Sequence, residues 1–222
     1  MSLSDTIESL RPRIEPIAAQ CAAASARLIA VVKRQPPERI KAAYALGVRD
    51  FAHSYVQEAL DQQDLWAHMP EARWHFIGRI QSNKTRHLRE GWHRIHSVDR
   101  LKTARRLGSA SVLVQVRLGG EHSKAGVDPA DLRETIERIA AETSVQIRGL
   151  MALPPPRERW GDLQPFETLA RLRDELQATN HLMPDAGELS MGTSGDYVEA
   201  LGAGATWVRI GSALLGARQE TT

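Results

Sequence analysis

Arg27-Leu28-Ile29-Ala30-Val31-Val32-Lys33 is a run of five apolar residues that ends in a lysine, with Gln35-Pro36-Pro37 close behind. It is too short for a helix and rich in β-branched residues. It therefore reads as a strand over 28–33 that is buried on both faces. A lysine closing such a strand loses hydration, which disfavours the ammonium and readies the amine to attack an aldehyde. The plainer alternative is a strand-end lysine pointing at solvent. The neighbouring segments decide between them.

Downstream of this run, strand-like and helix-like pieces alternate. Strands are predicted over 28–33, 50–53, 73–78, 94–97, 111–118, 145–149, 188–190 and 206–210. Helices are predicted over 37–46, 55–66, 82–89, 128–142, 163–178, 196–201 and 211–218, with one more, capped by Ser97 or Asp99, that runs to Leu107. Pro37 suits a helix first turn, Gly47 stops that helix, and Pro154-Pro155-Pro156 opens a loop. Gly119, Gly120 and Gly126 mark another loop. Eight β–α units imply a parallel sheet closed on itself, a (β/α)8 barrel of the TIM type. The competing doubly wound sheet lacks its Gly-rich turn after the first strand. Upstream, Leu3, Ile7, Leu10, Ile14 and Ile17 fall on one face of a helix over 3–25. Ser4 or Asp5 is its expected cap, and Pro12 and Pro16 are expected to kink or divide it. The chain thus reads as an N-terminal helical segment, 1–26, packed on a barrel, 27–222. Together they form one domain with no C-terminal β domain.

The bulk composition excludes several classes. Lys plus Arg is 29 against 27 for Asp plus Glu, and no long run of like charges occurs, so no nucleic-acid surface is indicated. No apolar run is long enough for a membrane span, and the N-terminus lacks the features of a signal peptide. Cys21 is the single cysteine, which rules out an internal disulfide and fits a reducing compartment. A cytoplasmic protein is expected. His93 and His96 have a tempting spacing but lack the further ligands a metal site needs, so none is expected.

In a (β/α)8 barrel the chemistry gathers at the carboxyl ends of the strands. Lys33 lies there. So does Leu189-Ser190-Met191-Gly192-Thr193-Ser194-Gly195-Asp196, whose hydroxyls and backbone N–H groups make either an anion site or a simple N-cap turn. Val208-Arg209-Ile210-Gly211-Ser212 likewise ends a strand and opens a helix. These are the loops after strands seven and eight, where barrel phosphate sites are commonly built. Arg209 alternates with Val208 and Ile210, so it faces opposite to them; whether that is inward is open. His75 alternates with Trp74 and Phe76, in a structural or a chemical role. Gln81-Ser82-Asn83-Lys84 follows Gly78 and caps a helix. An imine-forming lysine facing a phosphate cradle calls for a phosphorylated aldehyde. Pyridoxal 5′-phosphate (PLP) has both handles. A sugar phosphate in a class I aldolase-like site has them too.

These motifs resemble the pyridoxal phosphate homeostasis protein family, single-domain relatives of alanine racemase. The resemblance covers nearly the whole chain. Besides the segments above it rests on Tyr55-Val56-Gln57-Glu58, Trp74-His75-Phe76-Ile77-Gly78, His96-Ser97-Val98-Asp99 and Arg148-Gly149-Leu150-Met151-Ala152-Leu153-Pro154. It implies that Lys33 carries PLP as an internal aldimine and that Ser194, Gly211 and Ser212 hold the phosphate. It places Arg209 opposite the pyridine nitrogen, with Ser54, His75 and Met191 also at the cofactor. It implies a PLP carrier in vitamin B6 and amino-acid homeostasis, with apo PLP-dependent enzymes as candidate recipients. A compact barrel without the racemases' second domain is expected to be a monomer. The rivals are a divergent, racemase-like PLP enzyme, with His53 or His75 as its second base, and a PLP-free scaffold. The chain departs from the family pattern at Ala52-His53-Ser54, where Gly-Glu-Asn is usual, and at Val32, Arg117 and Thr193.

Overall fold

The computed structural model describes residues 2–119, 125–161 and 164–218. Met1, Gly120, position 163 and positions 219–222, all within ranges read above, lie outside the described residues. The strands are β1 (Arg27–Val31), β2 (Asp50–His53), β3 (Arg73–Phe76), β4 (Arg94–Val98), β5 (Ser111–Val116), β6 (Gln146–Ala152), β7 (Glu188–Ser190) and β8 (Trp207–Ile210). They form a closed barrel in chain order, with every neighbouring pair parallel. The ring shuts where Arg27 to Ala30 of β1 pair with Trp207 to Ile210 of β8.

Outside the strands lie α2 (Pro37–Ala45), α3 (Val56–Asp61), α4 (Gln63–His68), α5 (Leu101–Ala104), α6 (Leu132–Glu142), α7 (Pro165–Ala178), α8 (Tyr197–Gly202) and α9 (Ser212–Leu215), after an N-terminal α1 (Leu3–Ala23). Five readings need correction. The helix read over 55–66 is divided at Gln62 into α3 and α4. The helix read to Leu107 stops at Ala104, with Arg100 and not Ser97 or Asp99 at its cap. The unit after β3 holds only a 3-10 turn, Thr85–Leu88, in place of a helix over 82–89. The last helix is one turn long, because Gly216 at φ 83° ends it. Finally, α1 is continuous through Pro12 and Pro16. Both prolines face solvent, where carbonyls that lose an intrahelical partner are open to hydration. Its cap is Ser2, which exchanges hydrogen bonds with Asp5 in a capping box. Leu10, Ile14, Ile17 and Cys21 are its buried face, and it packs on α2, α9 and β1.

The main apolar core lies between the outer strand faces and the helices. The barrel interior is largely polar. There Arg94 of β4 makes a bidentate pair with Glu188 of β7, its Nη2 lying 2.8 Å from Oε1. Arg73 grips Asp50 with two contacts of 2.6 Å. Ile29, Ala52 and Trp207 form a small apolar plug with Ile77 packed on it.

One glycine sets the height of the strand ends. A Cβ on Gly78 would stand 1.8 Å from the Ser54 carbonyl oxygen. The loop after β3 therefore rests directly on the residue after β2. Backbone occupies that space, so no rotamer relieves the clash. Gly78→Ala is expected to cost about 3 kcal/mol, in the range of overpacked cores. Denaturant unfolding checks this, and a change below 0.5 kcal/mol, roughly the scale of neutral surface substitutions, would contradict it.

Candidate functional site

β1 ends two residues before Lys33. Val32 N–H donates to Ala52 O at 3.0 Å, and Gln35 N–H turns back to Val32 O at 2.9 Å. Lys33 thus stands in a turn, half-buried, and is not sealed in a strand. The dehydration expected of it is not found, because the ladder stops at Val31 and the chain leaves the sheet. Its neighbour Arg34 takes a left-handed φ of 54°. That conformation costs energy in a non-glycine residue, and Glu58 holds it by accepting from Arg34 N–H. Burial raises the Glu58 carboxyl pKa above its usual value; the Arg34 amide and the Lys33 charge pull the other way. The Lys33 ammonium sits 4.8 Å from the Tyr55 ring centroid. Its hydrogen bond lowers the Tyr55 phenol below its ordinary pKa.

Opposite Lys33, Gly192 turns at φ 86°. A Cβ there would meet Ala200 Cβ at 2.6 Å. The turn lets Asp196 accept from Thr193 N–H at 2.5 Å and from Thr193 Oγ1 at 3.0 Å. Beside it, β8 runs through Gly211 into α9, where Leu214 and Leu215 N–H close on Gly211 O and the amides of Ser212 and Ala213 have no intrahelical acceptor. Gln35 and Arg39 reach the segment after α9. Gln35 Nε2 donates to Gly216 O at 3.0 Å and Arg39 Nη1 to Ala217 O at 2.7 Å. This latch draws the last helix against the turn that carries Lys33.

The result is one cavity of about 380 Å³ at the carboxyl ends of the strands, where Lys33, Ser54, Ser194, Arg209, Gly211 and Ser212 meet. Arg209 projects inward and is 4% exposed. It donates to Ser190 Oγ at 2.7 Å and to Ala152 O at 2.8 Å. Burial pushes its guanidinium down to about 10, and the charge of Asp196 opposes that.

Two candidates lie elsewhere. Met191 is fully buried in the main core and does not line the cavity. His75 lies below the mouth inside the barrel, between Asp50 and His96. His53, weighed as a second base, points away from the mouth altogether. Asp50 and Ala52 face inward, so Phe51 and His53 face the helices. His53 stacks on Trp74 at 5.4 Å and on Trp66 at 6.3 Å, with Trp92 edge-on at 6.1 Å. Neither ring nitrogen has a hydrogen-bond partner. Sequence reasoning missed Thr193, Met151 and Leu153 as cavity residues. All three lie in stretches quoted above, and the period of two along β6 places Met151 inward once its register is known.

Fold and site together define a class: a parallel (β/α)8 barrel with an amine facing a hydroxyl-bearing, glycine-containing rim across its mouth. The family model described as alanine racemase, N-terminal domain, matches residues 6–219. The chain is 44% identical to a pyridoxal phosphate homeostasis protein of Pseudomonas aeruginosa, covering 98% of this chain and 96% of that one. The protein of that name from Escherichia coli K12 is 34% identical, covering 97% of each. The structure of PipY from Synechococcus elongatus with PLP bound superposes with a TM-score of 0.79 at 37% identity, covering 97% of this chain and 100% of that one. Alanine racemase from Corynebacterium glutamicum shares the fold, with a TM-score of 0.73 at 17% identity over 96% of this chain and 61% of that one. The chain belongs to the pyridoxal phosphate homeostasis protein family.

Proposed function

We propose that this protein binds PLP at the barrel mouth, held covalently through the Lys33 amine, and acts as a carrier in vitamin B6 and amino-acid homeostasis. One observation carries the reading. A single cavity joins the Lys33 amine, the hydroxyls of Ser194 and Ser212 beside Gly211, and the buried Arg209 cation. These match an aldehyde, a phosphate and a ring nitrogen in turn. The PLP-bound PipY structure supports it. PLP supplies a reactive aldehyde on an electron-withdrawing ring.

The chain's own groups do the rest. Glu58 fixes the turn that presents Lys33, and the Tyr55 ring faces its ammonium. Thr193 and Asp196 shape the loop that offers Ser194. Arg209 offers N–H donors, and donors only, to a ring nitrogen. The carrier reading is favoured over a racemase-like enzyme because His53 and His75, the candidate second bases, do not reach the cavity. We also read residues 1–26 and 27–222 as one domain, acting as a cytoplasmic monomer that passes PLP to apo-enzymes. The lone buried Cys21 fits a reducing compartment.

Titration with PLP and with pyridoxal tests the cradle. Hydrogen bonds to a charged phosphate contribute about 1.5–3 kcal/mol each. PLP should bind far more tightly than pyridoxal, and Ser194→Ala or Ser212→Ala should each cost about tenfold or more in affinity. Equal affinity for PLP and pyridoxal would remove the phosphate cradle.

A further inference from the structure

A file of buried polar side chains descends from the mouth through the barrel. Arg209 Nη1 lies 2.7 Å from Ser190 Oγ, and Ser190 Oγ lies 2.7 Å from His96 Nδ1. His96 Nε2 is 2.9 Å from His75 Nδ1, and His75 Nε2 is 3.0 Å from Asp50 Oδ1. His75, His96 and Ser190 are 0% exposed.

Donor chemistry fixes the direction of every link. Burial pushes the Asp50 carboxyl up, but Arg73 and His75 outweigh it and hold it at about 2, so it only accepts. His75 must therefore carry its proton on Nε2. Burial lowers both imidazoles and keeps them neutral; the Asp50 carboxylate raises His75 without outweighing burial. The cations that face the pair, Arg73, Arg94 and Arg209, oppose a further positive charge, as does the neighbouring His93 ring. The bare His75 Nδ1 then accepts from His96 Nε2–H. The bare His96 Nδ1 accepts from the Ser190 hydroxyl, whose oxygen accepts from Arg209. All four bonds point from mouth to base. Reversing one would set two donors or two acceptors face to face, which is costly in a buried site.

We propose that Ser190, His96 and His75 are positioning residues: a one-way hydrogen-bond relay that locks Arg209 toward the mouth and joins its buried charge to Asp50. The relay deepens the proposed function, since it governs the group assigned to the PLP ring nitrogen. Its primary test, however, needs no PLP. Nitrogen NMR of the apo-protein should show His75 and His96 as Nε2–H tautomers that do not titrate between about pH 5 and about pH 8. Ser190→Ala should change the tautomer balance of His96, and Ser190→Thr should restore it. In the PLP-loaded protein, Ser190→Ala should weaken PLP roughly tenfold and shift its near-visible absorbance, with Ser190→Thr again restoring both. Should Ser190→Ala fold poorly, His96→Gln replaces it. Its amide keeps one acceptor toward Ser190 and one donor toward His75, so PLP affinity should stay within about threefold. An Nδ1–H tautomer in either ring, unchanged rings in Ser190→Ala, or a tenfold loss in His96→Gln would overturn the relay. Failure of the wild-type chain to bind PLP overturns the proposed function, and the apo-protein tautomers still decide the relay.

Discussion

Lys33→Ala is expected to lose every trace of borohydride-trapped PLP while keeping its fold. Of the chain's five lysines, Lys33 alone among the described ones lines the mouth cavity. Lys84 borders a separate hollow beside Tyr55 and Arg79. The Lys33 side chain is half-buried and packs on an exposed ring, so its truncation should cost little stability. Peptide mapping after reduction gives the readout. The label should sit on the peptide carrying Lys33 and vanish in the variant, together with the near-visible absorbance. PLP should still associate weakly and reversibly through Ser194, Gly211 and Ser212. Equal labelling of wild type and Lys33→Ala would overturn the assignment.

The second large effect is acid destabilisation centred on His53. Burial among Trp66, Trp74 and Trp92 pushes this ring down to about 4 from its ordinary 6.5. In the unfolded chain His53 takes up a proton as pH falls through 6.5; in the folded chain it does not until about 4. The unfolded state binds more protons across that window, so stability is full above it and drains away as pH falls. At about 1.4 kcal/mol per pKa unit, His53 alone accounts for roughly 3 kcal/mol. Burial lowers His75, His93 and His96 as well, and they add in the same direction. His53→Phe keeps a flat ring in the box and removes two unpartnered nitrogens. It should leave stability near pH 7 unchanged or higher and flatten the loss toward pH 4. A variant whose stability falls as steeply as wild type would exclude His53 as the source.

Much of this was legible in the sequence. The boundaries of β2 and β7 match the sequence reading, because flanking glycine, serine and aspartate punctuate them. The fold class followed from the count of alternating segments, which tolerates errors of a few residues in any one. The errors came from tertiary context. No local signal shows that Thr85–Leu88 has room for one tight turn only, or that the solvent face of α1 tolerates two prolines. At the site, Lys33 and the two loops were found because strand ends converge in a barrel. His75 faces inward but sits too deep along β3 to reach the mouth, a depth that local sequence does not show. His53 was misplaced for a different reason. Alternation says that neighbouring residues face opposite ways, but not which way is inward. The Asp50–His75 contact supplies that phase, and a one-residue change of phase exchanges barrel interior for helix layer.

The latch between Gln35, Arg39 and the segment after α9 also bears on how the protein is made. Arg39 and Ala217 are 178 positions apart, and β1 has no second neighbour until β8 is present. Such distant pairings are slow to form. At the roughly 5–20 residues per second of synthesis, the Lys33 strand waits on the order of ten seconds or more for its closing partner. Lys33 and Ser212 therefore face one another only at the end of folding. A nascent or interrupted chain offers a lone amine without its facing rim, so under the proposed function covalent uptake of PLP would report that the ring has closed.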